Sequence, residues 1–449
     1  MNKLNEKLLE KKILRSVILS SIACVIIAMI AGFISSLHYI ESISFFLQNK
    51  GFSFANFRPL HTVFISAWLF LGSTVCVFKF LFDQYGIFKS YEKKMFKIQM
   101  LSFAFAGLGI LFSVLLGHVS GREYLGFNPI FSIFIIFGWF IFAYLFFKKI
   151  LLNFWNSPVY VYMWASGILY FIIAFIEAHF YLLSFLKNNP IIDLQIQWKS
   201  CGSLVGAFNQ IIHGGLLYLL ERIGQDKKIA HSKWAFSLFG ISLLNSFTNF
   251  AHHTYHLPQS NLIKWISFIV SMLEIIILSK IFIQAVNRSS IKNKSCLIIS
   301  DYFLSMARKW NLILLPLALL ISIPPLNTLI HGTTVVMAHA MGSEIVIDSY
   351  ILLGIFSFLL NDVFLKNKQK KMLNNRLMYN LILLMNLCIA ILLLWLVIAG
   401  LVSGINRYLC QEQALFINIY QPFFIVVFGG LFAFFLILLF YLWLPLFFK

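Results

Sequence analysis

An all-α integral membrane protein is what this sequence predicts, and three observations predict it. Of the 449 residues 60% are hydrophobic and only 11% charged, with 50 Phe, and the mean hydropathy is +0.86. Apolar runs of about 20 residues, the length of a helix that crosses a bilayer, recur along the chain. The basic residues gather at alternate ends of those runs. Inside a bilayer each segment must satisfy its own backbone hydrogen bonds, so the runs read as helices.

Twelve spans follow, at roughly 14–40, 60–84, 95–119, 128–151, 158–187, 197–222, 232–257, 261–286, 305–326, 328–362, 376–403 and 417–446, in a single polytopic domain covering 1–449. The first comes after the basic stretch MNKLNEKLLEKKILR; it is long and lacks a small-residue cleavage site, so it reads as a retained helix and not a signal peptide. FRPLHT opens the second span, and GREYL fills the short loop between the third and fourth. IEAHFYLL lies late in the fifth, IQWKSCGSLVGAF begins the sixth, and NFAHHTYHLPQ closes the seventh. SMLEIIIL lies inside the eighth, and a Lys- and Ser-bearing connection at 287–304 leads to the ninth. The tenth belongs to NTLIHGTTVVMAHAMGSEIVIDSY, and two strongly apolar runs complete the set.

Charge placement supports this count. Lys50, Arg58, Arg122, Lys187, Lys199, Lys264 and Arg407 fall at one set of ends, and all other Lys and Arg at the opposite set. By the positive-inside rule both termini are cytoplasmic. The formal charge of +19 thus reflects orientation, and nucleic acid is not an expected partner; the lipid bilayer is. The 6 Cys show no CxxC spacing, which excludes a disulfide framework or a zinc site.

Nine of the 11 histidines fall near or within the outer half of the spans: His38, His61, His118, His179, His252, His253, His256, His331 and His339. His213 lies near the centre of the sixth span and His231 on the cytoplasmic side. Neutral imidazole is the commonest metal ligand and a poor choice for a lipid-facing position. Imidazoles collected at one level from several helices point to a buried haem or metal. His339 and Met341 stand about 200° apart around a helix, so one metal-capable side chain faces each way.

Other constellations each carry two readings. His252 and His253 are either two ligands of one metal or an interfacial hydrogen-bonded pair, with Pro258 loosening the last turn. Pro59 is placed to start the second helix, with Arg58 outside it and His61 facing inward in the first turn. Arg122 and Glu123 suit an anionic group and a hard cation, or form an ordinary surface ion pair. Glu177 and Glu274 lie in apolar spans, where a carboxyl is either a proton carrier or a hydrogen-bonded interhelical tie. Glu344 and Asp348 share one face of the tenth span and either continue a proton path or pair with neighbouring polar groups.

With these residues in place, the chain resembles the large subunit (subunit I) of the haem–copper oxidase superfamily, over nearly its whole length. The nearest branches are the nitric oxide reductases and C-type cytochrome oxidases. The resemblance implies a twelve-helix bundle with two b-type haems. FRPLHT looks like the low-spin haem site, making His61 an axial ligand and Arg58 a propionate contact. GREYL resembles the outer loop in which Arg122 would meet propionates and Glu123 would help hold calcium. His252 and His253 resemble the adjacent histidines on a non-haem iron or copper, SMLE places Glu274 beside that metal, and IHGTTVVMAHAM makes His339 the proximal ligand of the high-spin haem. Glu274, with Glu177 and Glu344, would handle protons.

Two departures stand out. Met341 occupies the place of the second tenth-helix histidine, and Met/His ligation of the low-spin haem is chemically sound. The third non-haem-metal histidine is missing, and Lys199, Cys201 or Gly202 falls near its place; His213 lies about 16 Å too far along the helix. The implied activity is a respiratory reductase of the bacterial inner membrane. It would take electrons from a small membrane-anchored c-type cytochrome and reduce a diatomic gas, nitric oxide to nitrous oxide or dioxygen to water. The alternatives are a haem-bearing electron-transfer or gas-sensing subunit without turnover, and an ion-coupled transporter.

Overall fold

The computed structural model of the chain describes residues 3–224, 228–248, 250–292, 298–366, 370–412 and 414–448. Among these, eleven helices are long and apolar enough to cross a membrane. We label the long helices α1 (Lys3–Leu37), α2 (Phe54–Tyr85), α3 (Ser90–Leu115), α4 (Ile130–Ile150), α5 (Val159–Glu177), α6 (Pro190–Gly224), α7 (Lys233–Thr248), α8 (Asn261–Lys292), α9 (Ile298–Ser322), α10 (Thr334–Phe364), α11 (Arg376–Tyr408) and α12 (Phe416–Phe448). α7, at 16 residues, is the one too short to count as a crossing, and the short helix Phe250–His253 follows it. Lys227 and Lys294, two of the charges expected on the cytoplasmic side, and Asn249 lie outside the described residues.

The chain divides into two compact units, one of residues 1–25 and 62–289 and the other of residues 26–61 and 290–449. In the first, α5 and α6 run antiparallel and are tied at successive levels. Trp164 Nε1 donates to the Ile211 carbonyl at 3.1 Å, the Tyr170 hydroxyl pairs with Ser203 at 3.2 Å, and Lys199 pairs with Glu177 at 2.5 Å. Gly167 permits this approach, since a Cβ there would lie 2.7 Å from Ile211 and 2.9 Å from the Ala207 carbonyl. Small residues let helix backbones pack closely where lipid offers no hydrophobic drive for association. The N-terminal part of α1 is held by charge: Lys79 of α2, buried, meets Glu10 at 2.9 Å and Asp83 at 2.8 Å.

Within the second unit, Gly400 lets α11 approach α10, since a Cβ there would lie 2.4 Å from Val335 N, and Gly404 lets it approach the short helix before α10, with a Cβ 2.5 Å from the Leu329 carbonyl. The tenth span does not begin at 328 as the hydropathy predicts. A separate helix, Pro324–Ile330, ends at His331; Gly332 turns the chain at φ 73°, and Thr333 caps α10 by accepting from Val335 N. The carbonyls left open at the end of the short helix are taken by Arg407, which donates to Leu329 at 2.9 Å and His331 at 2.8 Å. Basic side chains complement helix C-termini in this way. His331 is therefore a turn residue, outside the span.

Candidate functional site

His61 sits on α2, but not where the sequence places it. Ser53 begins the helix early: its carbonyl accepts from Asn56 N and Phe57 N, and its hydroxyl accepts from Asn56 N at 3.3 Å. α2 thus starts at Phe54, Pro59 lies inside it, and Arg58 is helical and exposed. A capping serine satisfies the first open N–H groups and outweighs the single hydrogen bond that Pro59 forfeits. Arg58 and His61, three residues apart, share a helix face.

The His61 ring is fixed from α1. Its Nδ1 pairs with the Ala28 carbonyl at 2.8 Å, which makes Nδ1 the donor and leaves Nε2 as the acceptor nitrogen. Gly32, one turn on, makes room: a Cβ there would lie 2.5 Å from Nδ1. Elsewhere in the same unit, His339 and Met341 are the sixth and last residues of the α-helical part of α10, Thr334–Met341. Nδ1 of His339 is buried with no hydrogen-bond partner among the described residues. Directly after Met341 the helix widens into a π segment, Gly342–Asp348, a distortion frequent at functional sites. Glu344 opens that segment half-buried, whereas Asp348 is buried.

In the first unit, the GREYL loop is a tight structure. Gly121 and Tyr124 both have positive φ, 74° and 57°, and the Ser120 hydroxyl spans the loop to the Leu125 carbonyl at 2.6 Å. Arg122 meets neither Glu123 nor open solvent. Its Nη2 donates to both oxygens of Asp193 at 2.9 Å, its Nη1 donates to Gln197 at 3.2 Å, and the guanidinium lies 4.3 Å over the Tyr181 ring. Asp193 is delivered by an earlier start of α6 than hydropathy suggests: Asn189 caps the helix through Ile191 N, and Pro190 takes its first position. Charged residues in the first turn hide this start from a hydropathy reading.

Glu177 is the last residue of α5, paired with Lys199 and not enclosed in an apolar span. So Lys199, near the place of the absent third histidine, is engaged by an acid of the preceding helix, and the Cys201 thiol lies 3.8 Å from the Glu123 carbonyl. His253 stacks on Trp198 with ring centroids 6.3 Å apart, while the side chain of His252 lies outside the described residues. Among the described residues, no group of three or more His, Cys, Asp and Glu side chains is arranged to hold a metal ion.

Glu274 is buried within α8. Its Oε1 accepts from Ser242 and its Oε2 from Asn245, each at 2.5 Å, and His213 Nδ1 lies 3.9 Å from Oε1. Sequence reading found Glu274 but passed over Asp193, Gly32 and the partners of Glu274. Ser242 and Asn245 were legible as polar residues three apart on α7; Gly32 carried no signal, since only the ring packed against it explains it.

Comparison with known proteins identifies the fold and the family. The family model for cytochrome c and quinol oxidase polypeptide I matches residues 12–433. A haem–copper terminal oxidase dimer, described as giving insight into its catalytic mechanism, shares the fold with a TM-score of 0.68 at 13% identity, over 98% of this chain and 83% of that one. Among curated proteins none matches. The family's members bind haems and a non-haem metal, and this chain, an all-helical multi-pass membrane protein, belongs to the haem–copper oxidase subunit I family of oxidoreductases.

Proposed function

We propose that the chain is the haem-bearing large subunit of a respiratory reductase that reduces a diatomic gas, nitric oxide to nitrous oxide or dioxygen to water. The observation that carries this reading is the seating of His61. Its Nδ1 is tied to a backbone carbonyl, the arrangement that fixes tautomer and orientation of a metal-bound imidazole, and Gly32 supplies the space. The residues present therefore fit a haem: His61 and Met341 would hold a low-spin group, His339 would hold a high-spin one, and Arg58 would meet a propionate. Haem bound there supplies one-electron transfer and a site for the gas.

Arg122 fits a propionate less well, because Asp193 and Gln197 already take its donors. For the non-haem metal, His252 and His253 are the histidines on offer, but the described residues form no complete ligand set, and no step is derived through it. Glu274 serves as the proton carrier, held by two neutral donors within the span, with Glu177 and Glu344 as its companions. In this reading α7 and Phe250–His253 make up a twelfth crossing, both termini are cytoplasmic in a bacterial inner membrane, and electrons arrive from a membrane-anchored c-type cytochrome at the outer face. SMLE and IHGTTVVMAHAM tilt the substrate toward nitric oxide.

His339→Ala is the direct test. Reduced-minus-oxidised spectra of the purified variant should lose the high-spin haem and its carbon monoxide response while keeping the low-spin bands; an unchanged spectrum overturns the assignment. A second reading, an electron-transfer or gas-sensing subunit without turnover, is favoured by the Lys199–Glu177 pair near the place of the third metal histidine. Metal analysis separates the two: one non-haem iron or copper per high-spin haem supports turnover, and none supports the second reading.

A further inference from the structure

Three helices of the first unit turn polar stripes toward Glu274. Gln210 and His213 on α6, Ser242, Asn245 and Ser246 on α7, and Ser271 and Glu274 on α8 are spaced by three or four residues, so each set shares a face. All are buried except Asn245, which is half-buried. Gly206 lets α7 come close, since a Cβ there would lie 2.7 Å from Ser246 Oγ. Ser271 donates to Asn245 Oδ1 at 2.8 Å. That bond orients the amide so that its NH2 group faces Glu274 Oε2.

The groups facing the carboxyl are thus a hydroxyl and an amide from α7 and one imidazole from α6. Tyr170 of α5 touches this network through Ser203 and the Ser246 carbonyl, and Lys280 of α8 is directed elsewhere, over the Trp234 ring. His213 is 4% exposed, and its Nδ1 has no hydrogen-bond partner among the described residues. Buried polar atoms are nearly always paired, and an unpaired one costs about 1–3 kcal/mol. A purely structural histidine would not be placed so. At 3.9 Å from Oε1, the nitrogen is one small movement or one water from the carboxyl.

We propose that His213 and Glu274 form a buried dyad that holds and shares one proton. Protonation of the imidazole–carboxylate pair gives imidazole and carboxylic acid. Transfer of that proton from Oε1 to Nδ1 gives imidazolium and carboxylate at unchanged total charge. An unpaired carboxylate inside the span is costly, so the dyad retains its proton until an acceptor draws it. The use of the dyad, though not its existence, rests on the proton-carrying role proposed for Glu274.

Infrared titration of the purified full-length protein tests this. A protonated-carboxyl C=O band should be present, be lost in Glu274→Gln, and change frequency in His213→Gln with its pH midpoint moved by about one unit or more. A band with the same frequency and midpoint in His213→Gln, or the absence of a Glu274 band from the wild type, overturns the dyad. Should His213→Gln not yield folded protein, 15N-histidine spectra of wild type and Glu274→Gln replace it. One imidazole signal must then move, and none moving is the overturning result. Optical spectra of the same samples keep the two readings apart: colourless protein with a responsive band defeats only the haem assignment, and coloured protein with an unresponsive band defeats only the dyad.

Discussion

Two half-buried histidines, one within α2 and one just past α5, show how differently this chain spends an imidazole. His179, just past α5, has both nitrogens committed, Nδ1 to the Phe175 carbonyl at 2.7 Å and Nε2 to Ser132 Oγ at 2.6 Å. His61 commits only Nδ1, to Ala28, on the side where Gly32 leaves room for the ring, and leaves Nε2 uncommitted among the described residues. His61 lies within the apolar α2 and His179 just past the apolar α5, and composition alone does not separate them. What separates them is the count of nitrogens left over after the protein has been satisfied. By that count His179 is a structural tie, and His61, like His339 and His213 with their unpartnered Nδ1 atoms, has bonding capacity to offer.

The sharpest way to break the comparison is to remove both rings in turn. His61→Ala should abolish the low-spin haem bands entirely. His179→Ala should leave the haem content unchanged and lower stability by about 1–3 kcal/mol, the cost of stranding buried hydrogen-bonding groups. Haem content and thermal melting in detergent check both. Equal loss of haem from the two variants would mean that leftover nitrogens do not identify ligands here.

Gly32→Ala tests the same site without touching the histidine. A methyl group 2.5 Å from Nδ1 forces the ring away from the Ala28 carbonyl, forfeiting about 1 kcal/mol from that bond and the orientation it imposes. The low-spin bands should weaken and shift while the high-spin signature persists. Identical spectra would show that the ring has slack, and that Gly32 is needed only for helix packing.

Much of this was legible in the sequence where the signal is local and periodic. Apolar runs and alternating charge locate the long helices, because bilayer thickness and the positive-inside bias act on composition directly. Helix starts were less legible: Ser53 and Asn189 open α2 and α6 well before the apolar run begins, so Pro59 falls inside its helix and Asp193 was missed. A cap works through one or two hydrogen bonds, which hydropathy does not register. Side-chain pairings were hidden altogether, since the partner of Arg122 lies 71 residues away and no spacing rule joins them. Within the π segment after Met341, too, the helical period on which face arguments depend changes without any mark in composition.

The adjoining ends of α5 and α6, with the GREYL loop beside them, supply the smallest effects and the finest test. Arg122 and Asp193 are 11% and 21% exposed and Lys199 and Glu177 are 46% and 19% exposed, so the two ion pairs should differ in worth although both look alike in sequence. Asp193→Ala strands a largely buried guanidinium and should cost about 1–3 kcal/mol, with little dependence on salt. Lys199→Met breaks a pair that water and ions already screen and should cost less than about 1 kcal/mol, a difference that shrinks further at high ionic strength. Melting curves of both variants at low and high salt decide the matter. A Lys199→Met loss as large as that of Asp193→Ala would mean that Lys199 does more than close a surface pair, and would return attention to it as the residue standing near the absent metal histidine.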